Sequence, residues 1–85
     1  MTKPKLTLLY YYSDTCIPCK QQVIVIDKLA SDYPRIIVKK INIAECDVTE
    51  YHVATVPTVI LKRGDEFIQQ FNGLVTRLEI EEFLT

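Results

Sequence analysis

Cys16-Ile17-Pro18-Cys19 is the stretch of sequence that decides the fold of this chain. The apolar and aromatic residues 6–12 precede it and are typical of a buried strand. Pro18 favours the first turn of a helix, where its missing N–H costs no hydrogen bond. We predict a helix over about 17–32 that ends before Pro34. The two cysteines therefore lie where a strand gives way to a helix.

The position of the cysteine pair favours redox chemistry. A thiol at a helix N-terminus faces unpaired N–H groups and the positive end of the helix dipole, and both favour the thiolate that attacks disulfides. We expect Cys16 to be the exposed nucleophile and Cys19, one turn later, to be the resolving thiol. Cys16 would form a mixed disulfide with a substrate, and Cys19 would then attack Cys16, release the reduced substrate and leave a Cys16–Cys19 disulfide.

One segment of the predicted helix conflicts with local propensity. Val23-Ile24-Val25-Ile26 is β-branched and would favour a strand. Its flanks, 20–22 and 27–30, favour a helix, and a helix that is apolar nearly all round is one that is buried in a core. We therefore predict helix throughout.

The rest of the chain predicts an α/β order, β-α-β-α-β-β-α. The two long strands joined by a helix should be parallel through a right-handed crossover, and the last two strands should form an antiparallel hairpin. A capping-box spacing at 76–79 opens the last helix. The further elements are strands over 36–43, 58–62 and 66–72, a helix or turn over 45–52, a tight turn over 63–65, and a helix from 76 to about 84.

Length and composition indicate one globular domain over 1–85. Hydrophobic residues make up 48% and charged residues 25%, and the net charge is -1 without a run of like charges. This pattern favours neither nucleic-acid binding nor a membrane surface. No apolar stretch approaches the roughly 20 residues that span a bilayer, and the start lacks the features of a secretory signal. We expect a cytoplasmic protein.

The cysteine count leaves two other interpretations open. An odd number argues against a structural disulfide framework, and in a reducing compartment a close pair is catalytic or metal-binding more often than structural. A zinc site needs four ligands, which Cys46 and His52 could complete with Cys16 and Cys19, although the spacing matches no common zinc motif. A structural Cys16–Cys19 disulfide is the other alternative. Otherwise we expect Cys46 to be a partly buried small hydrophobe and His52 to lie at a solvated helix end.

The chain resembles the thioredoxin family from Leu6 onward. The resemblance implies a thioredoxin-like fold, a four-stranded mixed sheet flanked by about three helices, and a thiol–disulfide oxidoreductase that acts on protein substrates. The combination of a cysteine pair, a Val-Pro-Thr segment and a hairpin carries the resemblance. The matching segments are 16–20, 27–33, 40–43, 51–58, 64–66 and 71–73.

The resemblance also implies a substrate-binding surface. The Val56–Pro57 bond would be cis and would lie beside the cysteines, and the backbone of Val56 would pair with an extended substrate segment. Ile17, Pro18 and Gly73 would complete this surface. Taken without the cysteine pair, Pro57 would be interpreted as the start of an edge strand.

Departures from the family affect the residues around the cysteine pair. Tyr10 replaces the buried carboxylate that serves the resolving thiol as proton acceptor. Lys40 matches the family's nearby lysine, but the carboxylate that is its partner is lost. Lys20 follows the motif and could support the thiolate electrostatically. Thr15 and Ile17 stand where the family usually has Trp and Gly.

The resemblance leaves the electron donor open. We expect recycling of a monomeric enzyme by a thioredoxin-reductase-type flavoenzyme, with no cofactor besides the Cys16–Cys19 disulfide. A glutaredoxin-like protein recycled by glutathione is the enzymatic alternative, since 11–13 and 55–57 fit it. The segment 72–76, however, lacks the second glycine and the acidic residue that hold glutathione in that family. A thioredoxin-fold module that binds a metal or an iron–sulfur cluster is the non-enzymatic alternative.

Overall fold

The computed structural model describes residues 5–45 and 53–84, which form four strands and two helices. The predicted helix or turn over 45–52 lies almost wholly outside these residues. Neither described helix is long and apolar enough to cross a membrane. In chain order the elements are β1 (Leu6–Tyr12), α1 (Ile17–Asp32), β2 (Ile37–Asn42), β3 (Thr58–Arg63), β4 (Glu66–Asn72) and α2 (Arg77–Glu81).

The element bounds agree closely with those predicted from sequence. β1 and α1 match, and β2 is one residue shorter at each end. The final helix is shorter than predicted, because α2 ends at Glu81. Beyond it, the N–H groups of Phe83 and Leu84 donate to the carbonyls of Ile80 and Glu81, each three residues back. Bonds of this spacing tighten the last turn and end the regular helix.

The four strands form one mixed sheet in the order β2-β1-β3-β4. β1 and β2 are parallel, while β3 is antiparallel to both β1 and β4, as predicted for the first pair and for the hairpin. In the register, Tyr12 lies opposite Asn42, Tyr11 opposite Thr58, and Thr58 opposite Asn72. The ends of β1, β2 and β4 and the start of β3 therefore meet at one end of the sheet, which we call the cysteine end because Cys16 follows β1 there.

Helix α1 packs one stripe of side chains onto the sheet. The buried members are Cys19, Gln22, Ile26 and Leu29, spaced as one face of a helix requires. Their neighbours in the core include Leu8, Tyr10, Val59 and Leu61.

The expectation that α1 is buried nearly all round is wrong. The segment 23–26 is helical, but the side chain of Ile24 is 64% exposed. The helix covers only one face of the sheet, so a position turned away from that face meets solvent even when it is apolar.

Candidate redox-active site

The two cysteines lie at the start of α1 and form a disulfide. Cys16 is the N-cap residue, in extended backbone conformation, and Pro18 lies in the first turn. The Cys19 backbone N–H donates to Cys16 Sγ over 3.2 Å. Cys16 is half-buried, whereas Cys19 is only 4% exposed. An incoming sulfur can therefore reach Cys16 more readily than Cys19.

A polar turn carries the chain from β1 to Cys16. The Cys16 N–H donates to the Ser13 carbonyl over 3.2 Å, and the Thr15 N–H donates to Ser13 Oγ over 3.2 Å. These bonds satisfy backbone donors just before the helix and hold Cys16 in the cap position.

Two further segments reach the cysteine end of the sheet. The Val56–Pro57 peptide bond is cis and immediately precedes β3, whose first residue lies opposite Tyr11 of β1. The N–H of Gly73 donates to the Pro57 carbonyl over 2.8 Å. Gly73 has a φ of +87°, a left-handed conformation that side chains disfavour, although a Cβ would have free space there.

The predicted substrate-binding residues lie on these two segments and in the first turn of α1. Ile17 is 72% exposed, Pro18 is exposed, and Val56 and Gly73 are half-buried. Pro57 itself is buried. All five lie on segments that reach the cysteine end of the sheet, and the four other than Pro57 are at least partly exposed there.

Tyr10 is held beneath the cysteine pair by a buried hydrogen bond. Its hydroxyl donates to the Cys19 carbonyl over 2.7 Å. Burial raises the pKa of Tyr10 to about 12, and the charges of Tyr12 and Asp27 add to the effect. Tyr10 is therefore a neutral phenol at neutral pH and acts as a hydrogen-bond donor. It does not accept a proton as the carboxylate it replaces would.

An open cavity of about 310 Å³ adjoins Cys19. Its apolar walls include Tyr12, which stacks on Tyr10 with ring centroids 5.5 Å apart. Two amines, those of Lys20 and Lys40, also line it. The remaining lining residues are Ser13, Asp14 and Val23.

Lys40 was expected to lack a carboxylate partner, but Asp27 on α1 provides one. Lys40 Nζ lies 2.7 Å from Asp27 Oδ1, and both side chains are about half exposed. The acidic partner has thus moved from the strand to the helix, where it is an exposed ion pair of small energetic weight.

Sequence reasoning missed a polar contact made by Gln22. This side chain is fully buried and forms two hydrogen bonds with the backbone of Val75. Nε2 donates to the Val75 carbonyl over 3.1 Å, and the Val75 N–H donates to Oε1 over 2.8 Å. A glutamine three residues after Cys19, on the stripe that α1 buries, was the available signal, because buried amides need partners.

The proposed zinc ligands Cys46 and His52 lie outside the described residues. Among residues 5–45 and 53–84, no group of three His, Cys, Asp or Glu side chains is placed to hold a metal ion.

Comparison with known proteins gives a consistent result. The family model Thioredoxin matches residues 1–85. Thioredoxin-T of Drosophila melanogaster is 36% identical over 76 residues, which are 86% of this chain and 48% of that protein. The thioredoxin of Buchnera aphidicola from Acyrthosiphon pisum is 31% identical over 80 residues, covering 91% of this chain and 74% of its own length.

A solved structure shows the same fold. Thioredoxin-2 of the malaria parasite superposes with a TM-score of 0.88 at 22% identity, over 99% of this chain and 84% of its own. The chain therefore spans about half of Thioredoxin-T and most of the other two proteins.

Proposed function

Because this chain belongs to the thioredoxin family of thiol–disulfide oxidoreductases, we propose that it is a cytoplasmic reductase of protein disulfides. Cys16 is the attacking nucleophile and Cys19 is the resolving thiol. The observation that carries this assignment is the half-buried Cys16 at the N-cap of α1, bonded to a buried Cys19.

The reaction has two exchange steps. In the reduced protein, the Cys16 thiolate attacks one sulfur of the substrate disulfide, and the other sulfur leaves as a thiolate that takes up a proton. Cys19 then loses its proton and attacks Cys16 Sγ, which forms the Cys16–Cys19 disulfide and releases the second substrate thiol. Two electrons pass to the substrate, which also takes up one proton from Cys19 and one from the solvent, and the structure described above corresponds to the oxidised product.

The start of α1 favours the thiolate of Cys16. The Cys19 N–H already donates to Cys16 Sγ, and a bond of this kind strengthens when the sulfur carries a charge. The N-terminal end of the helix dipole adds to the effect. Together they stabilise the form of Cys16 that attacks, without a neighbouring base.

The lysines beside the cavity support the second step. Lys20 and Lys40 both line the cavity next to Cys19. Since Lys40 is paired with Asp27, the positive charge that favours the Cys19 thiolate during its attack comes mainly from Lys20. Tyr10 holds the Cys19 backbone through its hydroxyl, so its part is to fix the position of the resolving thiol.

The substrate binds as an extended segment across the cysteine end of the sheet. The Val56 backbone, just before the cis bond, pairs with this segment as an added strand would. Ile17, Pro18 and Gly73 contact its side chains. Specificity then depends on the sequence around the substrate cysteine as well as on the disulfide itself.

A thioredoxin-reductase-type flavoenzyme is the proposed electron donor, and the enzyme acts as a monomer. The segment after β4 carries the single Gly73 and then Leu74 and Val75, without the acidic residue that would hold glutathione. Turnover of an insulin-type disulfide should therefore be supported by NADPH with thioredoxin reductase, and only weakly by glutathione with glutathione reductase. Faster turnover with glutathione would favour the glutaredoxin-like alternative.

Three cysteine variants test the roles directly. Cys16→Ser should abolish turnover, because no thiolate remains to attack. Cys19→Ser should accumulate the mixed disulfide, visible as a covalent adduct on a non-reducing gel. Cys46→Ser is the matched control and should retain turnover. A Cys16→Ser variant with full activity would show that the assignment is wrong.

A further inference from the structure

The segment that follows β4 is tied to the active site at two points. The Gly73 N–H donates to the Pro57 carbonyl over 2.8 Å, next to the cis bond. Two residues later, the backbone N–H and carbonyl of Val75 both form hydrogen bonds with the Gln22 side chain on α1. The segment 73–75 therefore bridges the cis-proline and the helix that carries the cysteines.

The contact between Gln22 and Val75 takes the place of regular secondary structure. Val75 lies between β4 and α2, where neither a strand nor a helix partner is available to its backbone. Val75 is 4% exposed and Gln22 is fully buried. The Val75 N–H and carbonyl therefore cannot bond to water unless the segment moves. The amide of Gln22 presents its carbonyl oxygen and one of its two N–H groups side by side, as another peptide group would, and so satisfies both the N–H and the carbonyl of Val75.

We propose that Gln22 is a positioning residue for substrate recognition, which rests on the proposed function. It holds segment 73–75 against α1 so that Leu74, between the two tethered residues, stays exposed at the cysteine end of the sheet. Leu74 is 56% exposed. A protein substrate meets this surface, whereas a small disulfide needs only Cys16.

Removing the amide of Gln22 should weaken the reaction with a protein substrate and leave the reaction with a small disulfide unchanged. In Gln22→Met the volume is nearly kept, but the Val75 N–H and carbonyl lose their partners, and the segment moves outward to reach water. We expect the KM for an insulin-type disulfide to rise about fivefold or more, with kcat little changed. The rate with a small aromatic disulfide should stay the same within error.

Gln21→Met is the matched control. Gln21 is the neighbouring residue of the same helix and is exposed, so the same substitution there should leave both substrates unaffected. If Gln22→Met changes the two reactions in equal proportion, or changes neither, the residue has only a structural role and the proposal is wrong.

A measurement on the unmodified protein covers the case in which the variant does not fold. Amide hydrogen exchange of Val75 should be as slow as that of Ile60 in β3, because its N–H is buried and bonded to Gln22. Exchange of the Val75 N–H at the rate of an exposed loop would overturn the proposal. Failure of the wild-type protein to reduce protein disulfides would instead overturn the proposed function, and exchange at Val75 would still report on the contact.

Discussion

Alkaline pH should destabilise the folded protein through Tyr10, and the pKa of this buried phenol sets the size of the loss. Burial raises that pKa from 10.0 to about 12. A pKa that is higher in the folded protein means that folding favours the neutral phenol. The free energy of unfolding is therefore undiminished below pH 10.0, the pKa of the phenol in the unfolded chain, and it falls as the pH rises toward the pKa of about 12 in the folded protein. At about 1.4 kcal/mol per pKa unit, the loss reaches about 1.4 kcal/mol near pH 11 and about 2 kcal/mol near pH 12.

Tyr10→Phe removes both the phenol and its hydrogen bond to the Cys19 carbonyl. A neutral hydrogen bond of this kind is worth about 1 kcal/mol, so the variant should be less stable than the wild type by about that amount near pH 8. It has no phenol to ionise at this position and so escapes the alkaline loss. The order of stability should therefore reverse close to pH 11, with the variant more stable above it.

The assay is urea unfolding of the oxidised protein at a series of pH values, with free energies from linear extrapolation. Tyr33, whose pKa is also raised because it donates to Glu81, contributes to both proteins and cancels in the difference. Tyr12→Phe is the control: it removes only the smaller contribution that the Tyr12 charge makes to the pKa of Tyr10, so it should keep most of the wild-type pH dependence. If wild type and Tyr10→Phe lose stability in parallel up to pH 12, the phenol is not held neutral by burial and the reasoning fails.

Two further predictions use the same unfolding assay. Ile26→Ala should lower the free energy of unfolding by about 2 to 5 kcal/mol, because it leaves a cavity under α1. Ile24→Ala, at an exposed site of the same helix, should change it by less than about 0.5 kcal/mol. Similar losses at both positions would contradict the packing of α1. The pKa of Glu81 lies below its ordinary value, first because Tyr33 donates to it and then because Arg77 does, so its contribution is present above about pH 4.5 and is lost in acid. The stability advantage of wild type over Glu81→Gln should shrink as the pH falls, and a constant difference would refute this.

The elements that carry the chemistry could be predicted from the sequence because their signals are local. Pro18 and Pro34 mark the two ends of α1 well enough that its observed bounds match the prediction. The β-branched run from Val23 to Ile26 is helical, since the helix signals on both sides and the packing of Ile26 outweigh the local strand preference. The capping box at Thr76 is present as predicted.

The contacts that the sequence could not predict join residues distant in the chain. Gln22 and Val75 are 53 residues apart, and nothing near either one indicates the other. Lys40 pairs with Asp27 only because the parallel crossover brings β2 beside α1. Likewise, the exposure of Ile24 follows from which face of α1 meets the sheet, and periodicity alone does not fix that when both faces are apolar.

The β3–β4 hairpin offers a practical site for labelling. Its turn, Gly64 and Asp65, lies at the opposite end of β3 from Pro57, about 20 Å away along six strand residues. A fluorophore or affinity handle attached through Asp65 would project away from the exchanging sulfurs. Trapped mixed disulfides could then be recovered by that handle while the surface that selected them stays undisturbed.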